Sequence, residues 1–146
     1  MKIDGKTVKL EVDDSDLSGA KFEDTRLERS VFEDCQMSAS TFSDVDLASA
    51  EFEDTNLAAA SFEDCNLAEA TFEDTNLSAV RFGDCMMGGV RIEDANLSGA
   101  RICDANLAGV EISDCQLTGM TIDGIEVTEL LEAYRAKEAK GEDANA

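Results

Sequence analysis

The chain has 146 residues, enough for one domain with a proper core. It carries 12 Lys and Arg against 33 Asp and Glu, a formal net charge of -21. That balance argues against direct contact with nucleic acid or anionic membranes and predicts partners with basic surfaces. There is no histidine, so the commonest general base and metal ligand are both missing, and neither an enzymatic activity nor a cofactor nor a metal site is expected.

In chain order, residues 1–13 come first. They hold no apolar core of the length a signal peptide needs, and no stretch of the chain approaches the roughly 20 apolar residues of a membrane span. Five cysteines without an export signal fit reduced thiols and a cytoplasmic location. The alternating "TVKLEV" predicts a strand-like N-terminal cap over 1–13.

Residues 14–127 are governed by one rule: a large apolar residue recurs every five positions. The series starts Leu17, Phe22, Leu27, Phe32, Met37, Phe42 and runs unbroken to Ile122, ending near Val127. Two residues before each stands a smaller one, such as Ala20, Cys35, Ala50 or Cys65. So regular a spacing favours a packed structure over acidic disorder. A period of five fits neither a helix (3.6) nor a lone strand (2). It fits a chain that takes a short extended step, buries two side chains, turns a corner and repeats, so that coils stack and pair through their backbones. The absence of proline suits such a solenoid, because every coil must donate to its neighbour.

A helix is predicted over 128–141. Thr128 is placed to cap it, Glu129 and Glu132 lie early, and Arg135, Lys137 and Lys140 lie late, as the helix dipole prefers. Leu130, Leu131 and Tyr134 form its apolar stripe. Gly141 is the expected end, with 142–146 a disordered tail.

The motifs "ANLSG" (95–99), "ANLAG" (105–109), "CNLAE" (65–69) and "TNLSA" (75–79) resemble the A(D/N)LXX pattern of pentapeptide-repeat proteins, and the match covers about residues 15–127. The resemblance implies a right-handed, four-sided β-helix with twenty residues per coil, an all-β solenoid. On that period one face stacks Phe22, Phe42, Phe62 and Phe82, then Ile102 and Ile122. The opposite face stacks Phe32, Phe52 and Phe72, then Ile92 and Ile112. About five and a half coils at about 4.8 Å each make a rod of about 26 Å.

The acids fall into two sets. Asp24, Asp34, Asp44, Asp54, Asp64, Asp74, Asp84, Asp94, Asp104 and Asp114 each lie two places after a Phe or Ile, where the intervening repeats often carry glycine. A position shared by glycine and aspartate is what a corner asks for. Glu23, Glu33, Glu53, Glu63, Glu73 and Glu93 are not residues a corner needs. From Ser30 to Val80 there are twelve acidic residues and no Lys or Arg. Over about 12 Å of rod that is about one charge per Å, against one per about 1.7 Å in double-stranded DNA. Some pentapeptide-repeat proteins that protect bacteria from quinolones imitate DNA and occupy the DNA-binding saddle of gyrase. The resemblance thus implies a basic partner, DNA gyrase first among candidates, bound through Glu33, Asp34, Glu53, Asp54, Glu63, Asp64, Glu73 and Asp74. It also implies a homodimer through the C-terminal helix, with Leu130, Leu131 and Tyr134 in contact. The alternative is a structural solenoid whose acids serve turns and solubility. Calcium chelation by the carboxylate rows is a further reading, but the paired-glycine nine-residue repeat of calcium-binding β-rolls is absent.

Cys35, Cys65, Cys85 and Cys115 occupy the small inward position as buried thiols, whereas Cys103 stands outward, where an exposed reactive thiol would lie. The pattern loosens at "GDCMMGGV" (83–90), where Met86 takes an outward place normally held by a polar residue, either as a packing irregularity or as a small apolar contact patch.

Overall fold

The computed structural model describes residues 2–4 and 9–144. From Glu11 to Ser113 its β-structure is made of three-residue steps, one every ten residues. The strands are β1 (Lys2–Asp4), β2 (Glu11–Asp13), β3 (Lys21–Glu23), β4 (Val31–Glu33), β5 (Thr41–Ser43), β6 (Glu51–Glu53), β7 (Ser61–Glu63), β8 (Thr71–Glu73), β9 (Arg81–Gly83), β10 (Arg91–Glu93), β11 (Arg101–Cys103) and β12 (Glu111–Ser113), followed by the shorter β13 (Thr121–Ile122) and β14 (Ile125–Glu126) and by helix α1 (Val127–Ala144). Odd and even strands up to β13 separate into two sheets, and β14 joins the odd one, in the orders β1-β3-β5-β7-β9-β11-β13-β14 and β2-β4-β6-β8-β10-β12. Within each, Phe22 pairs with Phe42 and Phe32 with Phe52 in parallel register, so one coil is twenty residues. The remaining two sides are held by single parallel bridges such as Asn56↔Asn76 and Asn66↔Met86. The chain is therefore a four-sided, right-handed β-solenoid, the hand that parallel crossovers take.

Every fifth residue turns the corner in the left-handed region. The aspartates from Asp14 to Asp114 have φ between 48° and 54°. The alternate corners hold Gly19, Gly89, Gly99, Gly109 and Gly119, but also Arg29, Ala39, Ser49, Ala59, Glu69 and Ala79, with φ from 57° to 73°. Glycine takes this conformation without steric cost and aspartate tolerates it, whereas the others are strained there.

Between corners, alternation points one residue of each step inward. Phe22, Phe42, Phe62 and Phe82 stack face to face with centroids 4.7, 4.6 and 5.0 Å apart, and Phe32, Phe52 and Phe72 do the same at 4.9 Å. The two stacks meet edge to face, as in Phe52–Phe62 at 6.3 Å and 90°. Leu27, Leu47, Leu57, Leu67 and Leu77, with Met37 and Met87, fill the other two sides and are fully buried.

The ends depart from the sequence expectations. The regular coil starts before residue 14: Glu11–Asp13 pairs with Val31–Glu33, and Val12 takes the place of Phe32 one coil earlier, because the five-residue series extends back through Val12. Of the expected cap, residues 5–8 lie outside those described, while Lys2–Asp4 pairs with Lys21–Glu23 at the end of the odd sheet. At the other end the coil stops at Ile122 rather than near Val127. Asp123 and Gly124 (φ 48° and 80°) form a two-residue turn that folds β14 antiparallel onto β13, the turn chemistry that Asp-Gly favours.

Helix α1 begins at Val127, so Thr128 lies in its first turn instead of capping it, and it runs past Gly141 to Ala144. Residues 145 and 146 lie outside those described. Val127 N–H donates to Met120 O at 3.0 Å, and Val127 packs on the core. Leu130 and Tyr134 are exposed and Leu131 is half-buried, so the helix does not seal the last coil. Leu107, Val110, Ile112, Leu117 and Ile122 remain half-buried there, and among the described residues β12 has no further strand beyond it. Among the described residues no helix is long and apolar enough to cross a membrane.

Candidate functional site

In-register stacking turns a repeated outward residue into a column. The even sheet presents two columns side by side, Glu11, Val31, Glu51, Thr71, Arg91, Glu111 and Asp13, Glu33, Glu53, Glu73, Glu93, Ser113. That face has eight carboxylates and one cation. On the parallel strands β3 to β13 of the odd sheet, the outward residues are Lys21, Thr41, Ser61, Arg81, Arg101, Thr121 and Glu23, Ser43, Glu63, Gly83, Cys103: two carboxylates and three cations, with Glu126 of the antiparallel β14 a third carboxylate beside Thr121. The acidity of the strands is thus concentrated on one side of the rod.

The structure brings Glu33, Glu53 and Glu73 into one column and puts Glu63 on the opposite sheet, where Arg81 approaches it at 3.9 Å. Among the described residues the other ion pairs are Lys9–Glu11 at 3.8 Å and Arg91–Glu111 at 3.5 Å, and none reaches Glu33, Glu53 or Glu73. A trough of about 330 Å³ runs between the two columns, lined by Glu51, Glu53, Glu73, Glu93, Thr71 and Arg91 and floored by Phe52 and Phe72. Loss of solvent beside its neighbours, then the carboxylates of Glu33 and Glu73, raises the pKa of Glu53 above the ordinary carboxylate value. Asp64 is raised likewise, by desolvation and then by Asp44 and Asp84.

Asp34, Asp54, Asp64 and Asp74 lie at corners, where their backbone conformation alone accounts for the residue type. No three or more His, Cys, Asp or Glu side chains among the described residues are arranged to hold a metal ion; the carboxylates are spread along columns.

Other features escaped the sequence reading. The Asn or Asp before each inward Leu accepts a hydrogen bond from the backbone N–H two residues on, as Asn66 Oδ1 does from Ala68 at 3.0 Å and Asn56 Oδ1 from Ala58 at 3.0 Å. This local Asx turn is the physical content of the A(D/N)LXX motif. The difference between the two sheets was readable from the twenty-residue period, by separating odd from even steps. Cys103 is half-buried on the odd sheet, and Met86 is 55% exposed.

The geometry defines a class: a four-sided parallel β-solenoid with aspartate and glycine corners and a stacked aromatic core. A model of a pentapeptide repeat region matches residues 56–130, and a model of eight pentapeptide repeats matches residues 15–54. The chain belongs to the pentapeptide-repeat family. Among solved structures it is similar to a pentapeptide repeat protein from the thylakoid lumen of Arabidopsis thaliana (24% identity, TM-score 0.52, covering 66% of this chain and 64% of that one). The match thus spans less than two thirds of that relative. It is also similar to Rfr23, from the cyanobacterium Cyanothece 51142 (18% identity, TM-score 0.44, covering 84% and 88%). A third is QnrB1, a plasmid-mediated fluoroquinolone resistance protein (15% identity, TM-score 0.35, covering 91% and 96%). No curated sequence matches the chain.

Proposed function

We propose that this chain is a non-enzymatic acidic interaction protein whose even-sheet face occupies a basic protein surface in competition with DNA, DNA gyrase being the first partner to assay. One observation carries the reading: eight carboxylates against a single cation on one face, stacked in register. The net seven negative charges extend over five strand spacings, about 24 Å, or one per about 3.4 Å, the phosphate spacing along one DNA strand. A rigid row of fixed anions attracts Lys and Arg without the entropy cost of ordering a flexible acidic tail. Binding of this kind weakens steeply as salt rises. The aspartate corners favour the second reading, acids kept for turns, but only for the aspartates.

The test is gyrase supercoiling with added protein. Wild type inhibits, the E33Q/E53Q/E73Q variant does not, and E63Q, on the other sheet, inhibits like wild type. A wild type without effect removes gyrase as the partner. Inhibition that survives in the triple variant removes this face.

The partner set also includes a second copy. The half-buried Ile112 and Leu117, the open edge of β12 and the exposed Leu130 and Tyr134 form an unsealed apolar end, and burying it in a symmetric dimer covers both copies at once. Light scattering on a chain ending at Val127 reads this. A mass per particle unchanged by the truncation counts against a dimer held by α1.

A further inference from the structure

The irregular stretch around residues 83–90 and the buried thiols are not used by the carboxylate face. Cys65 and Cys85 occupy the same inward place on consecutive coils, beside the Asn66↔Met86 bridge. Met86 N–H donates to Cys65 O at 3.0 Å. Their side chains run parallel: Cys65 Sγ donates to Phe42 O at 3.3 Å and Cys85 Sγ to Phe62 O at 3.4 Å, the same contact one coil apart. Both are 2% exposed. The interaction between the two thiols raises the pKa of Cys65 and lowers that of Cys85. The other inward thiols have no such neighbour, since Thr55 follows Cys35 one coil on and Ala95 precedes Cys115.

Two parallel thiols one coil apart are set about 4.8 Å apart by the strand spacing. A zinc–thiolate bond is about 2.3 Å, so two metal–thiolate bonds of that order, laid end to end, span about 4.6 Å or a little less. This is the demand of a linear S–metal–S unit. A column of parallel side chains fits the roughly 90° torsion of a disulfide poorly. Tetrahedral Zn²⁺ needs four ligands, and no three converge among the described residues. Thiolate and thioether ligands suit Cu(I), zinc and iron–sulfur clusters, and of these Cu(I) is the one that is satisfied by two sulfurs in a line. Directly outside Cys65 lies a surface depression of about 500 Å³, lined also by Met86 and by Asp44, Asp64 and Asp84. It offers an exposed thioether and a row of carboxylates that concentrates cations.

We propose that Cys65 and Cys85 form a two-coordinate thiolate site for Cu(I), reached past Met86. Loading exchanges protons for metal without electron transfer: two R–SH and one Cu⁺ give [R–S–Cu–S–R]⁻ and two H⁺. The site rests on the core thiols alone and stands or falls independently of the carboxylate face.

The test is an anaerobic titration of the reduced full chain with Cu(I) against a chromophoric Cu(I) chelator. Wild type and C103S take up one tight equivalent, while C65V and C85A lose it. Both variants fold, because Val45 and Ala105 hold the same place in that column, and circular dichroism checks this. X-ray absorption shows two sulfur neighbours. The chelator-corrected affinity rises about 100-fold per pH unit, because two protons leave for each metal. M86L slows uptake without changing the final occupancy. A tight equivalent retained in C65V or C85A overturns the site, as does a pH dependence reporting no proton release. A protein that resists copper and instead loses two hydrogens by mass holds a disulfide, which also overturns it.

Discussion

The strained corners give a direct test of how this coil is specified. Ala39, Ala59 and Ala79 sit one above another with φ of 57°, 59° and 57°, in a row that begins with Gly19 and ends with Gly99 and Gly119. An alanine in the left-handed region costs about 1–2 kcal/mol. Replacing it by glycine removes that strain and adds about 0.4–1 kcal/mol of unfolded-state entropy. The net gain is about 0.5–1 kcal/mol per site. Packing does not cloud the comparison. The three alanines are exposed, and a methyl added at Gly99 would lie 3.9 Å from Ala79 N, an ordinary contact. The triple variant A39G/A59G/A79G therefore gains about 2 kcal/mol. At about 2–4 °C per kcal/mol for a chain of this size, its melting temperature rises by about 4–8 °C in far-ultraviolet circular dichroism. G99A moves the other way, down by about 1–4 °C. A triple variant melting at or below wild type, or A59G and G99A shifting together, would refute the strain argument.

Two further outcomes follow from the columns. Glu53 has a raised folded pKa, so the native state holds that proton more tightly than the unfolded chain. Stability therefore increases as pH falls through the folded value towards the ordinary 4.5 and is lowest above it. Melting temperature should rise from pH 7 to about pH 5 and with salt up to about 0.15 M, and E53Q should melt higher at pH 7 and respond less to both; indifference to pH and salt contradicts stacked repulsion. The buried Thr75 Oγ1 has no hydrogen-bond partner, whereas Thr55, one coil earlier, donates to Glu53 O at 2.8 Å. T75V should gain about 1 kcal/mol in urea unfolding, and T55V should lose stability instead.

How much was legible in the sequence depends on which physical signal was read. The inward Phe and Leu series made the solenoid plain, because burial in a coil of fixed length leaves an unbroken period. The aspartate corners were legible because Asp and Gly share a conformational tolerance. The strained corners were not, since Ala59 or Glu69 carries no mark of φ > 0 apart from its place in the period. The C-terminal turn was legible in Asp123-Gly124 but hidden by the assumption that the five-residue series runs on to Val127. The ends of α1 differ because Thr128 and Gly141 are weak local signals, and the chain leaving β14 sets the first turn. Of the site residues, Glu33, Glu53 and Glu73 form one column, while Glu63 belongs to the opposite sheet for the simple reason that ten residues are half a coil.

Parallel stacking converts any outward residue kept through the repeats into a column, so a repetitive sequence would by default build equal columns on both sheets. This chain does not: among the parallel strands β2 to β13, eight carboxylates and one cation face one way, two carboxylates and three cations the other. Corner chemistry does not demand the difference, since both sheets turn on aspartate. Solubility does not demand it either, because it depends on the amount of charge more than on its side. Repulsion along the column works against it, as the raised pKa of Glu53 indicates. A charge-conserving exchange separates these causes. E33S/E53S combined with S43E/S61E keeps the net charge at -21 while moving two glutamates across the rod. If the acids serve solubility, the exchanged protein matches wild type in solubility and in gyrase assays alike. If the even-sheet face is the binding surface, solubility holds and inhibition falls. Inhibition equal to wild type would place the effect in bulk charge and end the case for this face.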